Sequence, residues 1–305
     1  MVFTCLADPG DRIVHLMRAL GLALFLTMLA VGCGPTPRDR AGGDDGSGQV
    51  DAPTGGGCVP QQEICGDGID NDCDLRVDCG DPDCSGIGTC PVCGTVENPE
   101  SQPLALPDGI GQSTACSTNA QCTDPVLPNC VHKECHASYT STLNFVGFPQ
   151  GATLADVNKL LSVCVVMEHS WLRDLQMDLI TPDDRIITLH QFIDRSGGEI
   201  YLGQANDSDT AANPVPGVGW KYCWKPGATT TMLGSTTINS GGHQTIAMGD
   251  YLSISPWAAM TGTPLNGNWT MRVTDLWPAD NGYMFEWSIA FDPTLVVDCS
   301  GPIIQ

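Results

Sequence analysis

The chain is 305 residues long, with 35 acidic against 13 basic side chains and a formal net charge of −22. Such a surface repels phosphate backbones, which excludes nucleic acid as a partner class and favours divalent cations. Its 16 cysteines point to disulfides formed in an oxidising compartment rather than to cytosolic metal clusters.

An apolar run from Ala19 to Val31 follows Met17 and Arg18 and ends at Gly32 and Cys33. It is too short for the roughly 20 residues that cross a bilayer but fits the about 7 to 15 of an export signal. Residues 1–32 are therefore read as a signal peptide, with Met17 as the expected start because Asp8 and Asp11 offset the basic residues near them. The stretch Leu29-Ala30-Val31-Gly32-Cys33 resembles a bacterial lipobox, which implies lipidation of Cys33 and anchoring in the cell envelope, at the outer membrane or cell surface. Ordinary cleavage, leaving Cys33 for a disulfide, is the alternative. Residues 33–57, rich in Gly, Asp and Pro, read as a flexible tether. Setting aside Cys5 and Cys33 leaves an even set of cysteines, as complete pairing requires.

Residues 58–93 carry Cys58, Cys65, Cys73, Cys79, Cys84, Cys90 and Cys93 with few residues for an apolar core, so cross-links, metal or both must hold the segment together. Asp70, Asp72 and Asp74 stand at alternate positions, and Asp78 and Asp81 fall at the ninth and twelfth places counted from Asp70. An EF-hand-like loop takes oxygen ligands at those places, and Asp67 is a further candidate. Leu75 stands at the sixth place, where such loops carry glycine. The run from Glu63 to Cys84 resembles the Cys/Asp-rich CGDGIDNDCDGxxDC metal-binding motif of secreted bacterial proteins. Calcium is the cation expected, because a hydrated Asp loop closed by disulfides suits a structural ion better than a catalytic metal with an open coordination position. A solvated acidic loop held by disulfides alone is the plain alternative.

Residues 94–112, with Pro99, Pro103 and Pro107, read as a stiff linker. Residues 113–138 hold Cys116, Cys122, Cys130 and Cys135, with His132 and His136 beside the last two. Two local disulfides are expected there on the compartment argument, with a Cys/His zinc site as the alternative. If those four close on themselves, the counts in 58–93 and in the β-domain (Cys164, Cys223, Cys299) are both odd. At least one bridge must then cross between them, with Cys299 the candidate.

From about Tyr139 to Cys299 the pattern becomes short strands of period two. Leu175, Met177 and Leu179 alternate with Asp174, Gln176 and Asp178; Trp269, Met271 and Val273 alternate with Thr270, Arg272 and Thr274; Phe285, Trp287, Ile289 and Phe291 repeat the theme. One apolar face per strand, with Gly, Pro, Asn and Asp turns such as Asn281-Gly282, predicts an antiparallel sandwich or jelly roll. Trp220, Tyr222 and Trp224 share one strand face and are either core or a sugar-stacking platform.

Two blocks carry a resemblance to the P domain (P/Homo B domain) of subtilisin-like proprotein convertases. Ser162 to Leu175, running on to Leu179-Ile180-Thr181-Pro182, resembles the family's strand, its HT-aromatic-xGDL turn and its LxSP strand end. Gly267-Asn268-Trp269-Thr270-Met271-Arg272-Val273-Thr274-Asp275, with Asp280-Asn281-Gly282 and Glu286-Trp287-Ser288-Ile289-Ala290-Phe291, resembles its GxWxLxVxD…DxGxLxxWxLxF ending. Arg173 and the Asp183-Asp184-Arg185 turn depart from the pattern. The resemblance implies an all-β, jelly-roll β-sandwich behind small disulfide-rich N-terminal modules. It also implies a role beside a subtilisin-like protease, yet no segment resembles the Asp, His and Ser loops of such an enzyme. No catalytic residue is assigned, and His169 is read as bonding the neighbouring turn. The expected role is therefore a non-catalytic binding or accessory module whose partner is an envelope protein, a protease or an extracellular ligand. The alternatives are a component acting in trans on a separate subtilisin-like enzyme, or a carbohydrate-binding jelly roll.

Overall fold

The computed structural model describes residues 59–74, 76–193, 197–206 and 214–296. The expected export signal and tether, with Cys5, Cys33, Cys58, Leu75 and Cys299, lie outside them. Among the described residues no helix is long and apolar enough to cross a membrane.

The architecture is all-β. Among the described residues thirteen strands run as β1 Thr95–Ala105, β2 Asn129–Val131, β3 Glu134–His136, β4 Tyr139–Phe145, β5 Leu160–His169, β6 Leu175–Ile180, β7 Ile186–His190, β8 Trp220–Trp224, β9 Thr237–Ser240, β10 His243–Ile246, β11 Gly249–Tyr251, β12 Gly267–Asp275 and β13 Gly282–Phe291. A five-stranded sheet in the order β1-β13-β5-β8-β11 and a four-stranded sheet in the order β4-β12-β6-β7 form the body, with the hairpins β2/β3 and β9/β10 beside them. All pairings are antiparallel except β11 with β8.

The two sheets share one apolar core. Val163, Val165, Met167, Tyr222, Trp224, Trp287 and Ile289 come from the first sheet, and Met177, Leu179, Trp269, Met271 and Val273 from the second. The period-two faces expected for β6 and β12 are thus faces that meet, as are Trp287, Ile289 and Phe291 of β13, but the register shift between Met284 and Glu286 breaks the alternation there, so Met284 and not Phe285 enters the core. Phe291 anchors one end, edge-on to Phe145, Phe148 and Trp269 with ring centroids 5.8, 5.1 and 5.5 Å away, contacts worth about 0.5–1.5 kcal/mol each beyond their burial. The β8 aromatics are core: Tyr222 and Trp224 are fully buried, so they offer no sugar platform.

Two readings need correction. The segment 94–112 is not a free linker, because Thr95–Ala105 pairs along β13 as the edge of the larger sheet. Pro99 and Pro103 are tolerated there because an edge strand leaves one side without ladder bonds, and the register shifts between Pro99 and Leu104. The second concerns Asp178, Arg272 and Thr274, which alternate away from the core yet are buried, at 0, 3 and 0% exposure. Arg272 Nη2 donates to Asp178 Oδ2 at 2.8 Å, and the Thr188 hydroxyl donates to Asp178 Oδ1 at 2.9 Å. Around Asp178 the outer face of this sheet is therefore a buried polar cluster, while Thr140, Thr142 and Asn144 of β4 remain exposed.

At Gly282 a Cβ would lie 2.4 Å from the Glu168 carbonyl oxygen and 2.5 Å from the His169 ring, so the turn into β13 admits glycine only. The β6–β7 turn, where Asp183-Asp184-Arg185 departs from the family pattern, is closed by Arg185, which bonds Asp183 at 2.8 Å and donates to the carbonyls of Ala259 and Thr261.

Candidate metal centre

Disulfides shape the N-terminal module. Cys65 bonds Cys84 and Cys79 bonds Cys90, and Cys73 and Cys93 are disulfide-bonded as well. In the next segment Cys116 bonds Cys130 and Cys122 bonds Cys135, so these sulfurs crowd together as bridges and leave no thiolates for zinc. Cys164 and Cys223 face each other across β5 and β8 and are bonded.

Between the first two bridges the chain makes two short 3-10 turns, Asp78–Gly80 and Pro82–Cys84. Asp81 sits between them and caps the second, its Oδ1 accepting from the Asp83 amide at 2.6 Å. Its other oxygen, Oδ2, is buried with no hydrogen-bond partner, and the residue is 2% exposed. Carboxylate oxygens of Glu63, Asp72 and Asp81 lie within 4.8 Å of one another, and so do those of Asp70, Asp72 and Asp74. Asp72 belongs to both groups, so five carboxylates converge on one locality.

The backbone presets several of them. Asp70 Oδ1 accepts from the amides of Cys73 and Asp74, Asp72 Oδ1 from Asp74, and Asp74 Oδ1 from Arg76. Glu63 accepts from Asn71 and Asp78 through its two oxygens. Burial pushes the Asp81 carboxyl up to about 6, with the charges of Asp74, Asp72 and Asp83 adding to the shift against the Asp83 hydrogen bond. The Asp83 carboxyl is raised too, first by burial and then by Asp72.

The structure thus gathers Asp70, Asp72, Asp74 and Asp81 and leaves two expected ligands outside both groups. Asp78 Oδ1 accepts from Gly66 and Gly68, and Asp67 Oδ1 accepts from Ile69, so both serve as turn caps. Glu63, which precedes the loop, takes a place no EF-hand count predicts. Only the disulfide connectivity brings it beside Asp81. An all-oxygen set with one buried, unsatisfied oxygen matches the donor chemistry of a hard divalent cation, whose ligands stand about 2.3–2.6 Å away for calcium.

In the sandwich, His169 is fully buried. Its Nδ1 accepts from the Trp171 amide at 2.9 Å and its Nε2 faces Asp275 Oδ2 at 3.4 Å, while the Ser170 hydroxyl turns to the Asn281 carbonyl. Both ring nitrogens are engaged in holding the turn.

No family model matches the chain, and no curated protein matches it. Among solved structures, the serine protease of Aeromonas sobria in complex with its chaperone is similar at 13% identity and a TM-score of 0.25, over 65% of this chain and 26% of that one. The same protease alone gives 13% identity and a TM-score of 0.25, over 65% and 27%. The chain spans about a quarter of the length of those chains, and a likeness of that strength carries no argument about function.

Proposed function

We propose that the chain is an exported, lipid-anchored, non-catalytic binding module, in which calcium orders the Cys/Asp-rich segment and the sandwich docks a protein partner. The observation that carries the calcium reading is the buried, unpartnered Oδ2 of Asp81 in a residue that converges with Glu63 and Asp72. Without a cation these carboxylates repel one another in a cross-linked segment. Glu63, Asp70, Asp72, Asp74 and Asp81 would hold the ion, which supplies charge neutralisation and no chemical step. The ten cysteines bridged within residues 113–138, across β5 and β8 and in the 65–90 segment would be out of place in a reducing compartment, which favours export.

Thermal unfolding of the full chain tests the ion. At calcium about tenfold above a Kd of roughly 10⁻⁴–10⁻³ M, binding adds about 1.4 kcal/mol. That raises Tm by a few degrees, and Asp72→Ala should abolish the rise. A Tm indifferent to millimolar calcium overturns the reading.

The contacts of both His169 ring nitrogens with the turn favour a structural role for it, and the resemblance to P domains suggests a separate subtilisin-like protease as partner. Purified chain is expected to give no turnover on a fluorogenic peptide panel. Hydrolysis blocked by a serine-directed covalent inhibitor would show an enzyme instead.

A further inference from the structure

A second concave site lies where the disulfide-bonded hairpin β2/β3 meets the strand ends of the sandwich. Val131, Phe192 and Leu276 form a small buried cluster there, and beside it opens a cavity of about 190 Å³ whose lining includes His132, Glu134, His136, Phe192, Leu276 and Trp277. His136 is 2% exposed, yet neither of its ring nitrogens has a hydrogen-bond partner. Its Nε2 stands 4.0 Å from Glu134 Oε2, beyond hydrogen-bond reach. Leaving a buried polar atom unsatisfied is costly, so the fold maintains an acceptor and a donor that none of the described residues uses.

We propose that this cavity receives an arginine side chain of a partner protein. The size sets the scale: the cavity is smaller than the roughly 300–1,000 Å³ of ordinary small-molecule sites and larger than the about 150 Å³ that encloses benzene. One side chain fits, and because the cavity opens to solvent on one side, that side chain can enter while attached to a protein.

Charge selects the sign. Glu134 offers a half-buried carboxylate, with Oε2 already fixed by the Ser113 amide at 2.9 Å. Burial pushes the His136 pKa down against the pull of Glu134 and Asp275, so the ring is neutral and keeps a lone pair for a donor. Glu134 is the one carboxylate among the lining residues and none of them is a lysine or arginine, so an anion would meet a like charge there and no fixed cation. The aromatic walls then favour guanidinium over ammonium: a planar donor-rich fork can stack on Phe192 or Trp277 while bonding a carboxylate and an imidazole nitrogen, and its methylene stem suits Leu276. His132 stiffens the wall, its ring edge-on to Phe192 with centroids 5.1 Å apart.

This deepens the docking reading by naming the side chain a partner must present, and it rests on that reading only for the partner. The test uses the full chain with its histidines isotope-labelled, titrated with capped Gly-Arg-Gly, Gly-Lys-Gly and Gly-citrulline-Gly peptides. The arginine peptide should shift the His136 resonances saturably, and the citrulline peptide should bind at least about tenfold more weakly. Glu134→Gln, which keeps an oxygen for the Ser113 amide, should weaken the arginine peptide by at least about tenfold as well. Equal binding of arginine and citrulline peptides, or no binding by either, overturns the site, and the comparison on the native chain needs no variant. Lysine binding as tightly as arginine overturns the assignment to guanidinium. None of these results alters the calcium-dependent Tm or the peptide-hydrolysis assay, so the pocket and the broader reading fail separately.

Discussion

Replacing Arg272 with methionine is expected to destabilise the sandwich by about 3–5 kcal/mol, the cost of breaking a buried ion pair from one side. The guanidinium and the Asp178 carboxylate are 4 and 0% exposed and 2.8 Å apart. Methionine fills most of the volume but leaves the Asp178 charge buried, with only the Thr188 hydroxyl and the Gln176 amide bonded to its Oδ1. Against a domain stability of about 5–15 kcal/mol, that loss moves the denaturant midpoint far. Chemical denaturation of Arg272→Met, Asp178→Leu and the double variant gives the measurement. Because the expected penalty is an orphaned charge rather than a lost contact, the double variant should recover most of the stability of the native chain. A single-variant loss under about 1 kcal/mol would mean that water reaches the pair and screens it.

Parts of this architecture were open to a reading of the residues. The strands β6, β12 and β13 were legible because their apolar residues alternate, and alternation is what a sheet with one covered face requires. The same rule failed for Asp178 and Arg272, since period two says which side a residue faces and not what covers that side. Strand β1 was hidden by its prolines, which local propensity assigns to a linker and only an edge position permits. At the carboxylate cluster, spacing brought together Asp70, Asp72 and Asp74, which lie close in sequence, and Asp81, which reaches Asp72 from between the two 3-10 turns. It missed Glu63 and misplaced Asp67 and Asp78, because their positions depend on which cysteines pair, and spacing alone does not determine connectivity. The cavity at His136 had no sequence signal beyond two histidines beside cysteines; it exists because a small hairpin docks on the ends of distant strands.

The second large effect belongs to Asp81. Asp81→Asn is expected to stabilise the chain in chelator at pH 7 by up to about 3 kcal/mol, and to remove the stabilisation that calcium gives the native protein. Burial pushes this carboxyl from its ordinary 3.8 up to about 6 in the folded chain, and each unit is worth about 1.4 kcal/mol. The folded chain therefore holds more protons than the unfolded chain between pH 4 and 6, so stability falls as pH rises through that window, and the penalty is complete above about 6. Asparagine keeps the oxygen that caps Asp83 and replaces the buried charged oxygen with an amide donor facing Glu63 and Asp72, so the slope between pH 4 and 6 should flatten. With calcium present the gap narrows by about 1.4 kcal/mol, because the ion offsets the repulsion only where the carboxylate remains. Melting curves at pH 4.5, 6 and 7.5, each in chelator and in millimolar calcium, separate the two effects. A variant less stable than the native chain in chelator at pH 7.5 would mean that the Asp81 charge is already balanced by the protein, and the buried oxygen would then owe nothing to a cation.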